Sequence, residues 1–359
     1  MIAIKPHTYQ QYGNDTEIHF RVITDADLAP QLSLEGDARY LSQEIISCAD
    51  LESILQVIAT IPRPAHILVL FRTALFVSPP PELLGKQAKL LVMAAHSTPL
   101  DIEDIAYFLS AIEKTDIATQ QIWADQFFDT GNNSKCLYFI NEETQTIATF
   151  RHLHQSYEWF DQIGILPWGG QQFCPSGEIS CLPLPHGQYN AEYSFDLNGE
   201  ITLHGIPIIN SGLPSFLRSD QERIYQQLST LIEHPVIAAV SNGVIQNIRC
   251  PSVQGKPALA MLEALFTVDS RYALIWELGF GANTNIKPRP GNKAPNECFG
   301  GTRGCIHFGL GLTPWTQYHL DLLSPDTIVQ NEHGQCLTGK DNTVATMLRT
   351  RATGCACLT

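Results

Sequence analysis

The two halves of this chain carry different patterns of apolar residues, and this difference most limits the folds open to it. In the first half, the continuous apolar runs 66–71 and 89–94 are typical of buried strands. The segments 51–61 and 101–114 instead repeat apolar residues at helical spacing, and Asp50 is a suitable N-cap for the first. Strands that alternate with helices predict a sheet with helical cover.

The second half is rich in short apolar segments separated by turn signals. Asn-Gly pairs at 198–199 and 242–243 and a His-Gly pair at 333–334 predict hairpin turns. Two helices, 219–233 and 256–266, are predicted to interrupt the strands. This half should therefore be dominated by β-structure.

Length and composition fit two globular domains. The chain has 359 residues, of which 44% are hydrophobic and 16% are charged, as is typical of folded protein. We predict an α/β N-terminal domain over residues 1–165. We predict a β-rich, barrel-like C-terminal domain over residues 166–359, which carries the metal site described below.

Charge and motif content exclude several classes of function. The formal net charge of −14 argues against nucleic-acid and membrane partners, which need a basic face. No glycine-rich phosphate loop follows a predicted strand, so nucleotide binding has no support. The chain starts without a signal-peptide pattern, and its longest apolar run, 66–79, is too short to span a bilayer. No CxxC pair occurs, which argues against a structural zinc site built from cysteines. We expect a cytoplasmic protein with reduced thiols.

One glutamate occupies a position where a carboxylate is costly. Glu277 stands inside the apolar, glycine-containing segment 272–281, which is predicted to form a strand. A carboxylate buried in such a strand must be paired or must bind a metal. Glu277 is therefore the residue that most strongly favours a functional site.

Two histidines and an aspartate follow Glu277 in similar settings. His307 lies in the apolar, glycine-punctuated segment 304–311, and a buried histidine needs partners for its ring nitrogens. His319 and Asp321 are two residues apart and share one face of a predicted strand, so one metal can take ligands from both. Alone, each signal also fits an ordinary core histidine or a solvated strand face.

With Glu178, which lies in a turn entering a strand, these residues offer three carboxylates and two imidazoles. This donor set suits one or two divalent ions such as zinc, manganese or cobalt. Carboxylates can bridge two ions about 3.5–4 Å apart in a hydrolytic site. Two histidines and one carboxylate alone would suit a single iron(II) ion in an oxygenase.

At these residues the chain resembles the aminopeptidase T family of metal-dependent exopeptidases. The Pro-x-Gly-Glu turn of the family is similar to 175–178, and its Glu-x-x-x-Gly-x-Asn segment is similar to 277–283. Its acidic, glycine-rich stretch ending in His-x-x-Leu-Gly is similar to 297–311, and its His-x-Asp pair to 319–321. The resemblance covers roughly 174–339 and is weak over the first half.

The resemblance implies a metal-dependent hydrolase that acts on a peptide or an amino-acid amide through a metal-activated water. It also implies a small-molecule or peptide partner and a possible homodimer, since dimers are common in the family. Carried over by position, Glu297 would support the ligands or act as the general base. The metal ligands would be Glu178, Glu277, His307, His319 and Asp321.

Two departures from the family pattern leave other functions open. The family has a tyrosine seven residues after the histidine that matches His307, where this chain has Pro314, and the segment between His307 and His319 is shorter here. One alternative is a non-catalytic, peptide-binding relative. Another is a ring-cleaving enzyme of the related 2,5-dihydroxypyridine dioxygenase branch, with iron(II) held by His307, His319 and Asp321.

Overall fold

The computed structural model describes residues 1–72, 79–93, 97–173, 175–183, 193–301, 304–312, 315–338 and 350–351. The helices in them are α1 Leu51–Thr60, α2 Pro81–Leu84, α3 Ile102–Lys114, α4 Ile117–Asn132, α5 Arg218–Leu228 and α6 Lys256–Val268. None of these helices is both long and apolar enough to cross a membrane. The strands are β1 Ile2–Ile4, β2 Ile18–Asp25, β3 Leu32–Leu34, β4 Tyr40–Cys48, β5 Ala65–Leu70, β6 Ala88–Met93, β7 Leu137–Asn141, β8 Thr146–Phe150, β9 Glu158–Gln162, β10 Gln171–Phe173, β11 Glu178–Leu182, β12 Leu197–Leu203, β13 Pro207–Ser211, β14 Val236–Ser241, β15 Val244–Arg249, β16 Ile275–Gly281, β17 Cys305–Leu310, β18 Tyr318–Ser324, β19 Ile328–Asn331 and β20 Thr350–Arg351.

The first half forms a parallel five-stranded sheet in the order β10-β6-β5-β2-β4. Its strands β5 and β6 are buried throughout, which explains their continuous apolar runs. Helix α1 packs on one face and α3 on the other, and each begins at an aspartate whose side chain accepts from a backbone N–H of the first turn. The α/β character predicted for this half is confirmed. Strand β10 comes from beyond residue 165, and the division of the chain into two domains stays a prediction.

The second half forms two further sheets. One has seven strands in the order β13-β18-β17-β16-β11-β9-β20, and the other has six in the order β15-β14-β12-β8-β7-β19. Side chains from both sheets, such as Phe308 and Phe150, share one apolar core. Helices α5 and α6 add to this core, so the second half is mixed α/β as well as rich in strands.

The barrel-like closure expected for the second half is wrong for the part of the chain that the structure describes. Strands β13 and β20 lie at opposite ends of the seven-stranded sheet and do not pair with each other, and the six-stranded sheet also stays open. A run of short strands and turns is common to barrels and to packed open sheets. Only the pairing of the first and last strands distinguishes them, and that pairing leaves no local signal.

The two Asn-Gly pairs have different outcomes. Asn242 and Gly243 both have positive φ and turn β14 into β15, as predicted. The hairpin expected at Asn198-Gly199 is wrong, because β12 runs straight through both residues. Gly199 also has a positive φ, and a Cβ there would lie 2.4 Å from the carbonyl oxygen of Ile147. This glycine permits close approach to β8 rather than a turn.

Candidate metal centre

Strand alternation gives the seven-stranded sheet one apolar and one polar face in its middle. Leu278, Phe308 and Leu320 point into the core shared with the six-stranded sheet. On the other face, Glu277 pairs across the strands with Gly309, which in turn pairs with Asp321. Residues that pair directly across neighbouring strands lie on the same face of a sheet, so the strand register places Glu277 and Asp321 on one face.

The five ligands predicted from the sequence come together on this polar face. The Nε2 atom of His307 lies 3.4 Å from Oε1 of Glu178 and 3.9 Å from Oδ1 of Asp321. The Nε2 atom of His319 lies 2.8 Å from the same Asp321 oxygen and 3.3 Å from Oε2 of Glu277. All five side chains are buried. That they bind metal stays a prediction.

These side chains form two groups whose ligand atoms lie within 4.8 Å of one another. One group is Glu178, Glu277 and His307, and the other is Glu277, His319 and Asp321. Glu277 belongs to both. At the centre, Nε2 of His319 lies 2.8 Å from Oδ1 of Asp321 and 3.3 Å from Oε2 of Glu277, yet none of these buried atoms makes a hydrogen bond of good geometry within the described residues. Buried polar atoms are rarely left without a hydrogen bond, so the site fits a cation that these atoms would coordinate.

Burial and like charges strongly shift the pKa values of two ligands of the site. Burial raises the pKa of Glu178 well above its ordinary value, and the carboxylates of Glu277, Glu297 and Asp321 raise it further. Burial alone would lower the pKa of His319, but Asp321 and Glu277 outweigh it and raise that pKa well above its ordinary value. Both shifts have one cause, the convergence of several carboxylates in a buried site, and a divalent cation would offset that negative charge.

One backbone carbonyl sets the tautomer of His319. Its Nδ1 lies 2.6 Å from the carbonyl oxygen of Gly311, which can only accept, so Nδ1 carries the proton in that hydrogen bond. In the neutral ring, Nε2 is then left with a free lone pair facing Glu277 and Asp321. This is the arrangement that a histidine ligand needs.

Two glycines make room for the ligands. A Cβ on Gly279 would lie 2.0 Å from the ring of His307, and one on Gly309 would lie 2.6 Å from Cβ of Glu277. Both distances are too short for any larger residue unless the ligands move. The glycines of β16 and β17 are thus part of the construction of the site.

Glu297 reaches the site from the short 3-10 helix Ala294–Cys298. Its Oε1 accepts from Nδ2 of Asn210 at 2.9 Å, and the same amide nitrogen donates to Oδ2 of Asp321 at 2.8 Å. The preceding loop is fixed by Asn292, whose side chain exchanges two hydrogen bonds with the backbone of Ile209. Glu297 and Asp321 therefore share one amide donor, and their side chains also interact directly.

Asn210 and a second amide, Gln162, also support the site, and neither was predicted from the sequence. The Nε2 atom of Gln162 donates to Oε2 of Glu178 at 3.2 Å, while its Oε1 accepts from the backbone N–H of Phe173. Asn210 stands in the apolar segment Pro207–Ser211, a setting like that of Glu277, and this signal was available. Pro314, in place of the tyrosine of the family, lies outside the described residues.

Comparison with known proteins shows a distant similarity of fold. No family model and no curated protein matches the sequence. A structure of 2,5-dihydroxypyridine dioxygenase from Pseudomonas putida KT2440 is similar, with 12% identity, a TM-score of 0.56 and coverage of 95% of each chain. AmpT from Thermus thermophilus shares 13% identity over 91% of this chain and 93% of that chain, with a TM-score of 0.43, too low to establish a common fold. The chain therefore has a fold like that of the dioxygenase, and the aminopeptidase T relationship stays a prediction.

Proposed function

We propose that this protein is a metal-dependent hydrolase that acts on a peptide or an amino-acid amide. The observation that carries the proposal is the pair of three-ligand groups that share Glu277. A carboxylate common to two such groups is the typical bridge in sites that hold two ions about 3.5–4 Å apart. With Glu277 shared, Glu178 and His307 would complete the ligands of one ion, and His319 and Asp321 would complete the ligands of the other ion.

Charge balance also supports two ions. Four carboxylates converge on the site, those of Glu178, Glu277, Glu297 and Asp321. Buried charges of one sign are costly unless they are compensated. Two divalent ions would bring as many positive charges as there are carboxylates, whereas a single ion would compensate half of them. Zinc, manganese and cobalt all suit this mixed carboxylate and imidazole donor set.

Divalent ions bound here would lower the pKa of a water molecule and polarise the scissile carbonyl. The residues of the chain supply position and proton transfer. The Gly311 carbonyl fixes the ring of His319, and Gln162 and Asn210 orient Glu178 and Asp321. Glu297 either accepts the proton of the attacking water or orients Asp321 through Asn210.

The test is metal content and hydrolysis in protein purified without chelator. We expect about two equivalents of zinc, manganese or cobalt and release of the leaving group from aminoacyl amides. Glu277→Gln should lose both ions and all activity, while Glu263→Gln, an exposed control on α6, should keep both. Wild-type protein that binds no metal, and stays inactive on aminoacyl substrates after metal addition, would contradict the proposal.

A second candidate is a mononuclear iron(II) dioxygenase. It is favoured by the fold similarity and by Oδ1 of Asp321, which lies 2.8 Å from His319 and 3.9 Å from His307. Two histidines and one carboxylate are the usual ligands of such iron sites. Oxygen uptake with dihydroxypyridine or catechol substrates, after anaerobic loading with iron, would support it. It also predicts that Glu178→Ala and Glu277→Ala retain iron, whereas the hydrolase loses its metal in both variants.

A further inference from the structure

The candidate metal centre is called the central site below, and it consists of Glu178, Glu277, His307, His319 and Asp321. A second cluster of side chains that could bind a metal is made of other residues. Glu143, His204 and Asp326 each offer one ligand atom, and these atoms lie within 4.8 Å of one another. Glu143 and Asp326 are exposed, and His204 is half-buried. We propose that these three residues, the turn site, bind a divalent cation of the zinc type.

The geometry around His204 is better suited to a cation than to a simple ion pair. Its Nδ1 is buried and has no hydrogen-bond partner in the described part of the chain, although Oδ2 of Asp326 lies only 3.4 Å away. Two ligands at about 2.1 Å from a tetrahedral ion stand about 3.4 Å apart. A carboxylate oxygen of Glu143 lies within 4.8 Å of a ligand atom of each of the other two residues, and its side chain is exposed.

The turn site is held together by hydrogen bonds that do not involve its ligand atoms. Asn141 is buried, accepts from the backbone N–H of Thr144 beside Glu143, and donates to the backbone carbonyl of Asp326. The hydroxyl of Thr144 contacts that of Thr202, two residues before His204. The three turns are therefore placed side by side before any ion binds, which lowers the cost of forming the site.

The location indicates a structural role. Glu143 lies in the turn between β7 and β8, His204 follows β12, and Asp326 lies between β18 and β19. Two of these connections carry the chain between the six-stranded and the seven-stranded sheets. An ion at the turn site would join three turns at the junction of the two sheets and stabilise the folded state by mass action.

Zn²⁺ titration of chelator-treated, desalted wild-type protein tests the proposal. Glu143→Gln and His204→Gln should each bind one Zn²⁺ fewer than wild type, or bind it at least about tenfold more weakly, because even groups that only support a ligand contribute 10–100-fold to affinity. Zn²⁺ should raise the Tm of Glu143→Gln less than that of wild type. Glu142→Gln is the matched control, since its side chain is exposed in the same turn.

The inference is independent of the proposed hydrolase, because the variants leave the central ligands unchanged. If Glu143→Gln and Glu142→Gln bind the same number of Zn²⁺ ions with the same affinity, the turn site is wrong and His204 and Asp326 make only a polar contact. Should His204→Gln fail to fold, Glu143→Gln decides the question alone, since its exposed side chain has no core contacts to lose.

Discussion

Asn210 shows how one buried amide can organise two carboxylates. Its Nδ2 donates to both Glu297 and Asp321, so one amide holds the two side chains together. The buried carboxylate of Glu277 was predictable because a charge in an apolar strand is conspicuous. Asn210 also stands in an apolar strand, but its partners lie 87 and 111 residues away in the chain. Contacts at this separation depend on strand order, which sequence patterns do not contain.

Replacing Asn210 should weaken the central site without unfolding the protein. In Asn210→Ala, the carboxylates of Glu297 and Asp321 lose their shared donor, and we expect metal affinity to fall about 10–100-fold. The measurement is competitive titration of Zn²⁺ against a chelating dye, with circular dichroism to check the fold. Asn247→Ala, at an exposed position on β15, is the control. Unchanged affinity in Asn210→Ala would show that the amide does not support a metal site.

At the scale of elements, the central strands illustrate what a sequence does and does not reveal. The period of two in β18 placed His319 and Asp321 on one face correctly, because alternation is a property of a single strand. The register that sets Gly279 beside His307 involves two strands, and no local pattern predicts it. The same limit explains Gly199, whose role depends on the neighbouring strand β8.

Gly279 gives a test of this construction. A methyl group at this position would overlap the ring of His307, because its Cβ would lie 2.0 Å from both Cε1 and Nε2. We expect Gly279→Ala to reduce the free energy of unfolding by about 1–3 kcal/mol, as overpacking does, and to weaken metal binding at the same time. Urea unfolding and metal titration measure the two effects. Gly36→Ala, where a Cβ meets nothing within 4 Å, should change neither.

At the scale of the whole molecule, the site depends on contact between the two halves of the chain. The core that covers its face of the seven-stranded sheet combines Val69 and Val92 of the parallel sheet with Ile208 and Leu323. The loop that leads to Glu297 is held to the first half by Ser97, whose hydroxyl donates to Asn292 and accepts from the backbone N–H of Ala294. The α/β pattern of the first half was readable from its sequence, but this packing was not.

Asp104 carries a second link between the halves, and its strength should depend on pH. Its carboxylate is buried on α3 and lies 2.6 Å from Nζ of Lys293 and 3.1 Å from Nε of Arg289. Burial opposes ionisation, but these two cations outweigh it and hold the pKa of Asp104 below its ordinary value. Its contribution to stability is therefore complete above the unfolded-state pKa of about 3.9 and is lost as the pH falls through the folded-state pKa.

We expect Asp104→Asn to lower the free energy of unfolding by about 1–3 kcal/mol near neutral pH, because Lys293 loses a charged partner in a mostly buried position. The difference from wild type should narrow as the pH is lowered below about 4, because the carboxyl group of Asp104 then takes up a proton in the unfolded state before it does so in the folded state. Urea unfolding of both proteins at a series of pH values measures this difference in the free energy of unfolding. Asp220→Asn removes an exposed ion pair with Arg223 and should cost less than about 1 kcal/mol at every pH. A pH-independent loss in Asp104→Asn would mean that packing, rather than charge, joins α3 to the loop that positions Glu297.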